Sequence, residues 1–244
     1  MKPRRVEILG VPVDCVTMEG ALHAVGEMLA GNGPDTVIAV NPEKVIRARR
    51  DPALLSQLMR AGLLIPDGIG VVVALRGKSL ESVERVAGSD LMPLICELAA
   101  SRGHTVFLFG ASPEANQRAV DVLRESHRGL HIVGSHHGYV KDEHMPDLIR
   151  KINESGAEVL FVALGSPAQE IWMDRYLPQL TVKVCQGVGG TFDVIAGRVK
   201  RAPALVRRIH LEWLYRLVAE PRRIKRQGAL PKFAVQIMNR MVME

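Results

Sequence analysis

The chain has 244 residues, 47% of them apolar, which suits one large α/β domain or one domain with an appendage and supplies a sizeable core. Its net charge of +6 is unevenly spread: residues 198–232 hold eleven Lys or Arg against Glu212 and Glu220, a net of +9, and the remainder carries −3. No apolar run approaches the roughly 20 residues of a membrane span, the start is a poor signal peptide because Glu7, Pro12 and Asp14 interrupt it, and Cys15, Cys96 and Cys185 offer neither metal-ligand spacing nor a redox pair and suit the core of a cytoplasmic protein.

In chain order, Val6 to Val13 reads as a first strand disturbed by Gly10 and Pro12. Thr17 can cap a helix that runs through Ala21, Leu22, Val25, Met28 and Leu29 and ends at Gly31 to Pro34. Thr36 to Val40 is a buried strand, broken at Asn41-Pro42-Glu43, where Pro42 suits a helix first turn. Asp51-Pro52 opens another helix that leads to Ile65-Pro66-Asp67-Gly68-Ile69-Gly70. There a short apolar run meets a proline, one carboxylate and two glycines, so Asp67 falls on a sharp turn between strand and helix. At the carboxyl end of a strand, where α/β sheets collect ligands, a lone carboxylate can accept a proton. A helix cap is the plainer reading.

Ser89 to Arg102 is a helix, Thr105 to Phe109 a strand, Glu114 to about Glu125 a helix, and Ile132-Val133 a short strand. Met145 to Glu154 is a helix, Val159 to Leu164 a strand followed by a helix through Ile171 and Trp172, and Val182 to Cys185 the last clear strand. Strands alternating with helices predict a parallel, doubly wound sheet with helices on both faces. Gly110-Ala111-Ser112-Pro113 and Gly165-Ser166-Pro167 each place a glycine and a hydroxyl where a strand passes into a helix, whose free N–H groups attract phosphate; a serine-capped βα turn is the alternative. There is no Gly-x-Gly-x-x-Gly after the first strand and no P-loop. His136-His137 reads as polar surface, since neighbours in a strand point to opposite faces.

After Gly197 the texture changes. Ala204 to Val218 carries an i, i+4 stripe of Leu205, Ile209, Trp213 and Leu217. Pro221 breaks it before Arg222-Arg223-Ile224-Lys225-Arg226, and Phe233 to Met243 is a last amphipathic helix. This divides the chain into an α/β body, 1–197, and a basic helical appendage, 198–244. Such a basic amphipathic segment suits an anionic membrane surface. Nucleic acid is the competing partner, but no aromatic stacking platform, zinc finger or recognition helix accompanies the charge.

Five stretches carry a resemblance: Val40-Asn41-Pro42-Glu43, Pro66 to Val72, Arg85-Val86-Ala87-Gly88-Ser89-Asp90, Leu164-Gly165-Ser166-Pro167-Ala168-Gln169-Glu170, and Gly187 to Pro203 with Phe192-Asp193 and Ala196-Gly197. Glu212 to Leu217 and Glu220-Pro221-Arg222-Arg223 extend it. In this order they resemble the bacterial WecG/TagA glycosyltransferases. The resemblance implies a variant Rossmann-like fold with an appendage that engages the membrane. It also implies transfer of N-acetylmannosamine, or a related sugar, from a UDP donor to N-acetylglucosamine on undecaprenyl diphosphate, with inversion and a β-1,4 bond. Wall teichoic acid linkage or another surface polysaccharide is the setting, with UDP-N-acetylmannosaminuronate or UDP-glucose as alternative donors.

Carried onto this chain, the family's base falls on Asp67, other site positions on Asn41, Arg85 and Gln169, and appendage arginines on Arg216, Arg223 and Arg226. Gly110, Ser112, Gly165, Gly189 and Asp193 complete the expected substrate-binding set. The chain departs from the family at Ala39, where threonine is usual, and at Ala168, where lysine is usual. No Asp-x-Asp triplet occurs, so no metal or other cofactor is expected. Helix N-termini and arginines are expected to stabilise the departing UDP instead. The expected location is the inner face of the plasma membrane, with homo-oligomerisation left open.

Overall fold

The structure is a computed structural model that describes residues 2–77, 83–199, 202–203, 206, 214–215 and 228–243. The N-terminal strand of the sequence reading is in fact a hairpin. Arg4–Ile8 (β1) and Val11–Cys15 (β2) pair antiparallel. The chain reverses at Leu9 and Gly10, with φ of 53° and 79°. Positive φ at both central residues gives the turn the twist of its flanking strands. The hairpin is tied inward by Asp14, which is 1% exposed. Arg5 grips both its oxygens, at 2.7 and 2.8 Å, and the amide of Leu64 donates to Oδ2 at 2.7 Å.

Leu64 belongs to the main sheet. Six strands, Asp35–Val40 (β3), Leu63–Pro66 (β4), Thr105–Gly110 (β5), His131–His136 (β6), Val159–Ala163 (β7) and Val184–Gly187 (β8), lie in the order β4-β3-β8-β7-β5-β6. Every ladder among them is parallel, as the strand–helix alternation predicts. The connecting helices are Met18–Ala30 (α1), Pro42–Ala48 (α2), Pro52–Arg60 (α3), Ile69–Arg76 (α4), Gly88–Arg102 (α5), Pro113–Ser126 (α6), Met145–Glu154 (α7), Ala168–Tyr176 (α8) and the short Thr191–Ile195 (α9). Thr17, Asn41, Asp51 and Ser112 cap their helices with side-chain oxygens. That satisfies amides a helix start would otherwise leave unpaired.

The helices cover both faces, so alternate strand residues enter two separate cores. Ile38, Leu64, Phe107 and Leu160 join one, together with Val45, Leu58 and Trp172. Val37, Leu63, Leu108 and Phe161 join the other, with Val25, Ile95, Leu123 and Phe192. This two-sided burial is why the strands read as near-continuous apolar runs. Cys96 and Cys185 are buried in it, and burial pushes the Cys96 thiol up to about 12.

The last helix, Ala229–Met243 (α10), starts four residues earlier than its sequence pattern suggests. Phe233 is 4% exposed and lies against Gly70, where an added Cβ would meet its ring at 3.4 Å and Pro42 Cγ at 3.1 Å. Gln236 of the same helix bonds Arg49, which follows α2. The C-terminal helix is thus seated on the two helices that begin just after Asn41 and Asp67. Val235 and Met238 face outward. Leu214 and Tyr215 are helical, whereas the stripe of Leu205, Ile209, Trp213 and Leu217 lies outside the described residues.

Candidate active site

The predicted residues gather at the carboxyl ends of the parallel strands, where a doubly wound sheet opens its ligand crevice. Asn41 follows β3, Asp67 follows β4, Gly165 lies just beyond β7, Gly189 just beyond β8, and Gly110 ends β5. The amide of Asp67 donates to Val40 O at 2.9 Å, which holds the ends of β3 and β4 together. The cap position of α4 is filled by Gly68, without a side-chain bond, so the plain helix-cap reading of Asp67 does not hold. Gly68 has φ 107°, and a Cβ there would sit 3.3 Å from Pro42 Cδ. Glycine is therefore what lets the chain turn tightly enough to present the carboxylate beside α2.

Arg85 is isolated in the sequence, yet the fold brings it to Asp67. The amide of Val86 donates to Pro66 O at 2.9 Å, which pins this segment along the end of β4. Arg85 Nε then lies 3.5 Å from Asp67 Oδ1, and the two side chains keep 18% and 28% of their surface. A cation at ion-pair distance from a partly accessible carboxylate at a strand end is an arrangement that can hold a reacting hydroxyl and an anion together. Asn41 accepts the Lys44 amide at 2.8 Å through Oδ1. It is therefore the cap of α2, while its NH₂ carries the remaining donors.

Gln169 enters from the other side of β8. It is 5% exposed. Its Oε1 accepts the Gly189 amide at 2.8 Å, and its Nε2 donates to Glu170 Oε1 at 3.1 Å. Gly187 makes room for it, since a Cβ there would stand 2.6 Å from Gln169 Nε2. Glu170 Oε1 also receives Lys44 Nζ at 2.7 Å, in an ion pair with side chains only 6% and 2% exposed. Gln57 Nε2 donates to Glu170 O at 2.8 Å. Burial alone would raise the Glu170 pKa. The Lys44 ammonium overrides it, with help from the Ser166 hydroxyl and then from Gln169, and holds the carboxyl below its ordinary range. Glu170 Oε2 has no hydrogen-bond partner. The sequence pattern does not single out Lys44. Its only signal is a lysine among Val45, Ile46 and Ala48, the inward positions of α2.

The two Gly-Ser-Pro turns differ. Ser112 caps α6 by accepting the Ala115 amide at 3.2 Å, and its hydroxyl also meets Glu114 and Arg198. In the second turn Ser166 is exposed, and α8 starts without a side-chain cap. Gly110 has φ 126°, and a Cβ would collide with Ala163 O at 2.4 Å. It lets the end of β5 press against β7, where the Ala111 amide bonds Ala163 O at 2.9 Å. Asp193 is half-buried in the first turn of α9.

The two departures fall in different surroundings. Ala168 is exposed at the start of α8. Ala39 lies on β3 near Gly88, whose hypothetical Cβ would be 3.9 Å from Ala39 Cβ and 3.8 Å from Gln186 Nε2. Gln186 is fully buried, with Nε2 donating to Gly88 O at 3.3 Å and Oε1 without a hydrogen-bond partner. The histidine argument needs correction. The His136 and His137 rings do not point apart but lie 4.5 Å from centroid to centroid, because β6 ends at His136. Both line a cavity of about 490 Å³ at the far edge of the sheet. Among the described residues no group of three His, Cys, Asp or Glu is placed to hold a metal ion. Arg216, Arg223 and Arg226 lie outside the described residues.

Comparison with known proteins bears on this arrangement. The model of the "Glycosyl transferase WecG/TagA/CpsF family" matches residues 6–244. A protein of Bacillus spizizenii (strain ATCC 23059 / NRRL B-14472 / W23), named N-acetylglucosaminyldiphosphoundecaprenol N-acetyl-beta-D-mannosaminyltransferase, is 37% identical over 204 residues. The alignment covers 83% of this chain and 78% of that protein.

Proposed function

The chain belongs to the WecG/TagA/CpsF family of glycosyl transferases, and from that premise we propose that it transfers N-acetylmannosamine from UDP-N-acetylmannosamine to the 4-hydroxyl of N-acetylglucosamine on undecaprenyl diphosphate. The name of the Bacillus relative supports the donor sugar and the lipid-linked acceptor. The observation that carries the assignment to this site is Asp67 at the end of β4 with Arg85 at 3.5 Å. Neither the family nor the relative favours the nucleic-acid reading of the basic segment.

Inversion requires the acceptor hydroxyl to attack C1 of the donor sugar in line with the departing UDP. Asp67 takes the proton from that hydroxyl as the new C–O bond forms. Such a base contributes about 10²–10⁴ in rate. Arg85, beside it, orients the carboxylate and offers donors to the reacting sugars. Asn41 and Gln169 line opposite sides of the same strand ends and supply amide donors. The turns at Gly110 and Gly165, with Ser112, Gly189 and Asp193, cradle the donor. Negative charge that develops on the leaving UDP is met by helix N-termini and by Arg216, Arg223 and Arg226 of the appendage. No metal takes part in this scheme.

The body, 1–197, thus holds the chemistry, and 198–244 completes the site and brings it to the membrane. No helix among the described residues is long and apolar enough to cross a bilayer. The acceptor's lipid tail and the net charge of +9 over residues 198–232 support peripheral attachment to the anionic inner leaflet, where each cation contributes about 1 kcal/mol.

The test is a donor panel with a lipid-diphosphate-N-acetylglucosamine analogue and released UDP as the readout. UDP-N-acetylmannosamine should be used and UDP-glucose should not, with turnover unchanged by EDTA. Use of UDP-glucose alone would reassign the donor. Loss of turnover in EDTA with recovery in Mg²⁺ would overturn the metal-free scheme, and release from no donor would overturn the activity.

A further inference from the structure

Beneath the strand ends runs a buried polar chain whose central ion pair, Lys44 with Glu170, has no part in the transfer chemistry. It begins at Asn41, whose Oδ1 receives the Lys44 amide at 2.8 Å. It continues through the Lys44–Glu170 ion pair at 2.7 Å and the Gln169–Glu170 bond at 3.1 Å, and ends where Gln169 receives the Gly189 amide at 2.8 Å. Its ion pair joins residues 126 positions apart in sequence, and the chain ties the turn after β3 to the turn after β8. We propose that Lys44 and Glu170 are positioning residues. They fix the amide of Gln169 in one orientation, and through it the Gly187–Gly190 turn, at the correct height for the donor.

The argument rests on what an ion pair does there that apolar side chains cannot. A buried pair is a poor stabiliser, because desolvation offsets most of the attraction, and two apolar residues of similar volume often serve as well. Apolar residues cannot accept the Gln169 N–H, however. The two ends of a Gln amide have nearly the same shape and differ only in donor and acceptor. With an acceptor at Glu170 Oε1 and a donor at the Gly189 amide, only one orientation satisfies both. Without Glu170 the amide can turn over and present its NH₂ to the Gly189 N–H, which breaks that bond. Gly187 leaves the amide no second place to go, since its backbone passes so close that a Cβ would lie 2.6 Å from Gln169 Nε2. Lys44 keeps the carboxylate charged and in place.

This rests on the reading of Gln169 and the Gly187–Gly190 turn as part of the donor site. Two double variants separate positioning from simple support. Lys44→Met with Glu170→Met removes the acceptor and fills the volume. Lys44→Met with Glu170→Gln restores an acceptor oxygen without the charge. Amide hydrogen exchange over 187–190 and 159–163, UDP-sugar kcat and KM, and thermal midpoints are measured for both. At matched midpoints, the Met/Met protein should exchange the Gly189 amide at least tenfold faster than wild type. Strand 159–163 should stay as protected as before, and kcat should fall at least tenfold. The Met/Gln protein should recover most of both. Equal exchange in all three proteins, or a kcat loss that Met/Gln does not recover, overturns the proposal. If Met/Met does not fold, the Met/Gln protein decides. It must exchange Gly189 as slowly as wild type, and faster exchange overturns the proposal. The exchange arm needs no substrate, so it still decides this proposal if the donor panel fails.

Discussion

Replacing Lys44 alone by Met should be among the most damaging single changes near the site, and the damage should depend on pH in a stated direction. Lys44 and Glu170 are 6% and 2% exposed and 2.7 Å apart. Methionine fills much of the lysine volume but leaves the Glu170 carboxylate in the interior without its ammonium partner, with only the weaker pulls of Ser166 and Gln169 on it. Stranding one partner of a buried pair costs about 3–5 kcal/mol. In a chain of this size each kcal/mol moves the midpoint by about 2–4 °C, so a fall of roughly 6–20 °C is expected at pH 7.

The sign of the pH effect follows from Glu170. In the wild type its pKa is held below the ordinary value of 4.5. The stability it contributes is complete above about 4.5 and is lost as pH falls through the lowered value. In the variant, burial acts unopposed and raises the pKa, so the folded state takes up a proton and is relieved as pH falls. The gap between the two proteins should therefore be widest at pH 7 and shrink toward pH 4. Urea unfolding of both proteins at pH 4, 5, 6 and 7 measures it. A gap below about 1 kcal/mol at pH 7, or one that does not narrow on acidification, would refute the reasoning.

Asp67→Asn should fold and bind UDP with little change while turnover falls about 10²–10⁴-fold. Turnover within threefold of wild type on a lipid-linked acceptor would show that the carboxylate is not the base. Gly110→Ala forces a Cβ to 2.4 Å from Ala163 O at φ 126° and should destabilise the protein by at least about 1–3 kcal/mol; an unchanged midpoint in a thermal melt would mean that β5 and β7 can part there. Replacing several cations of 198–232 together should weaken binding to anionic vesicles in a salt-dependent way. Arg223→Ala should leave vesicle co-sedimentation nearly intact and lower the single-turnover rate; loss of both in step, or of neither, would remove Arg223 from the leaving-group role.

The main elements of the fold were legible because local rules decide them. Apolar runs bounded by Gly, Pro and capping residues located the six parallel strands and the longer helices of the body, though not the short α9. Thr17, Asn41-Pro42, Asp51-Pro52 and Ser112-Pro113 marked helix starts whose caps are in the structure. The hairpin at Leu9-Gly10 was missed because Leu9 is a poor signal for positive φ, which there is set by pairing with β2. The extent of β6 was missed for a similar reason. Edge pairing with β5 draws His131 and Gly134–His136 into the sheet, although only Ile132 and Val133 look like strand.

By itself the sequence determined the strand–helix order, the position of one carboxylate on a strand-end turn, and the family. Each of these is written in contiguous residues, as alternation, a Pro-Asp-Gly turn and ordered motifs. Tertiary structure alone decided which distant residues meet. Arg85 lies beside Asp67 because the Val86 amide finds Pro66 O across the end of β4. Lys44 and Glu170 pair because α2 and α8 pack on the same face of the sheet. Gly68 rather than Asp67 caps α4 because the turn takes a φ of 107°. An ion pair between residues far apart leaves no local pattern. Its partners are chosen by where the sheet order places two helices, and sheet order is a property of the whole folded chain.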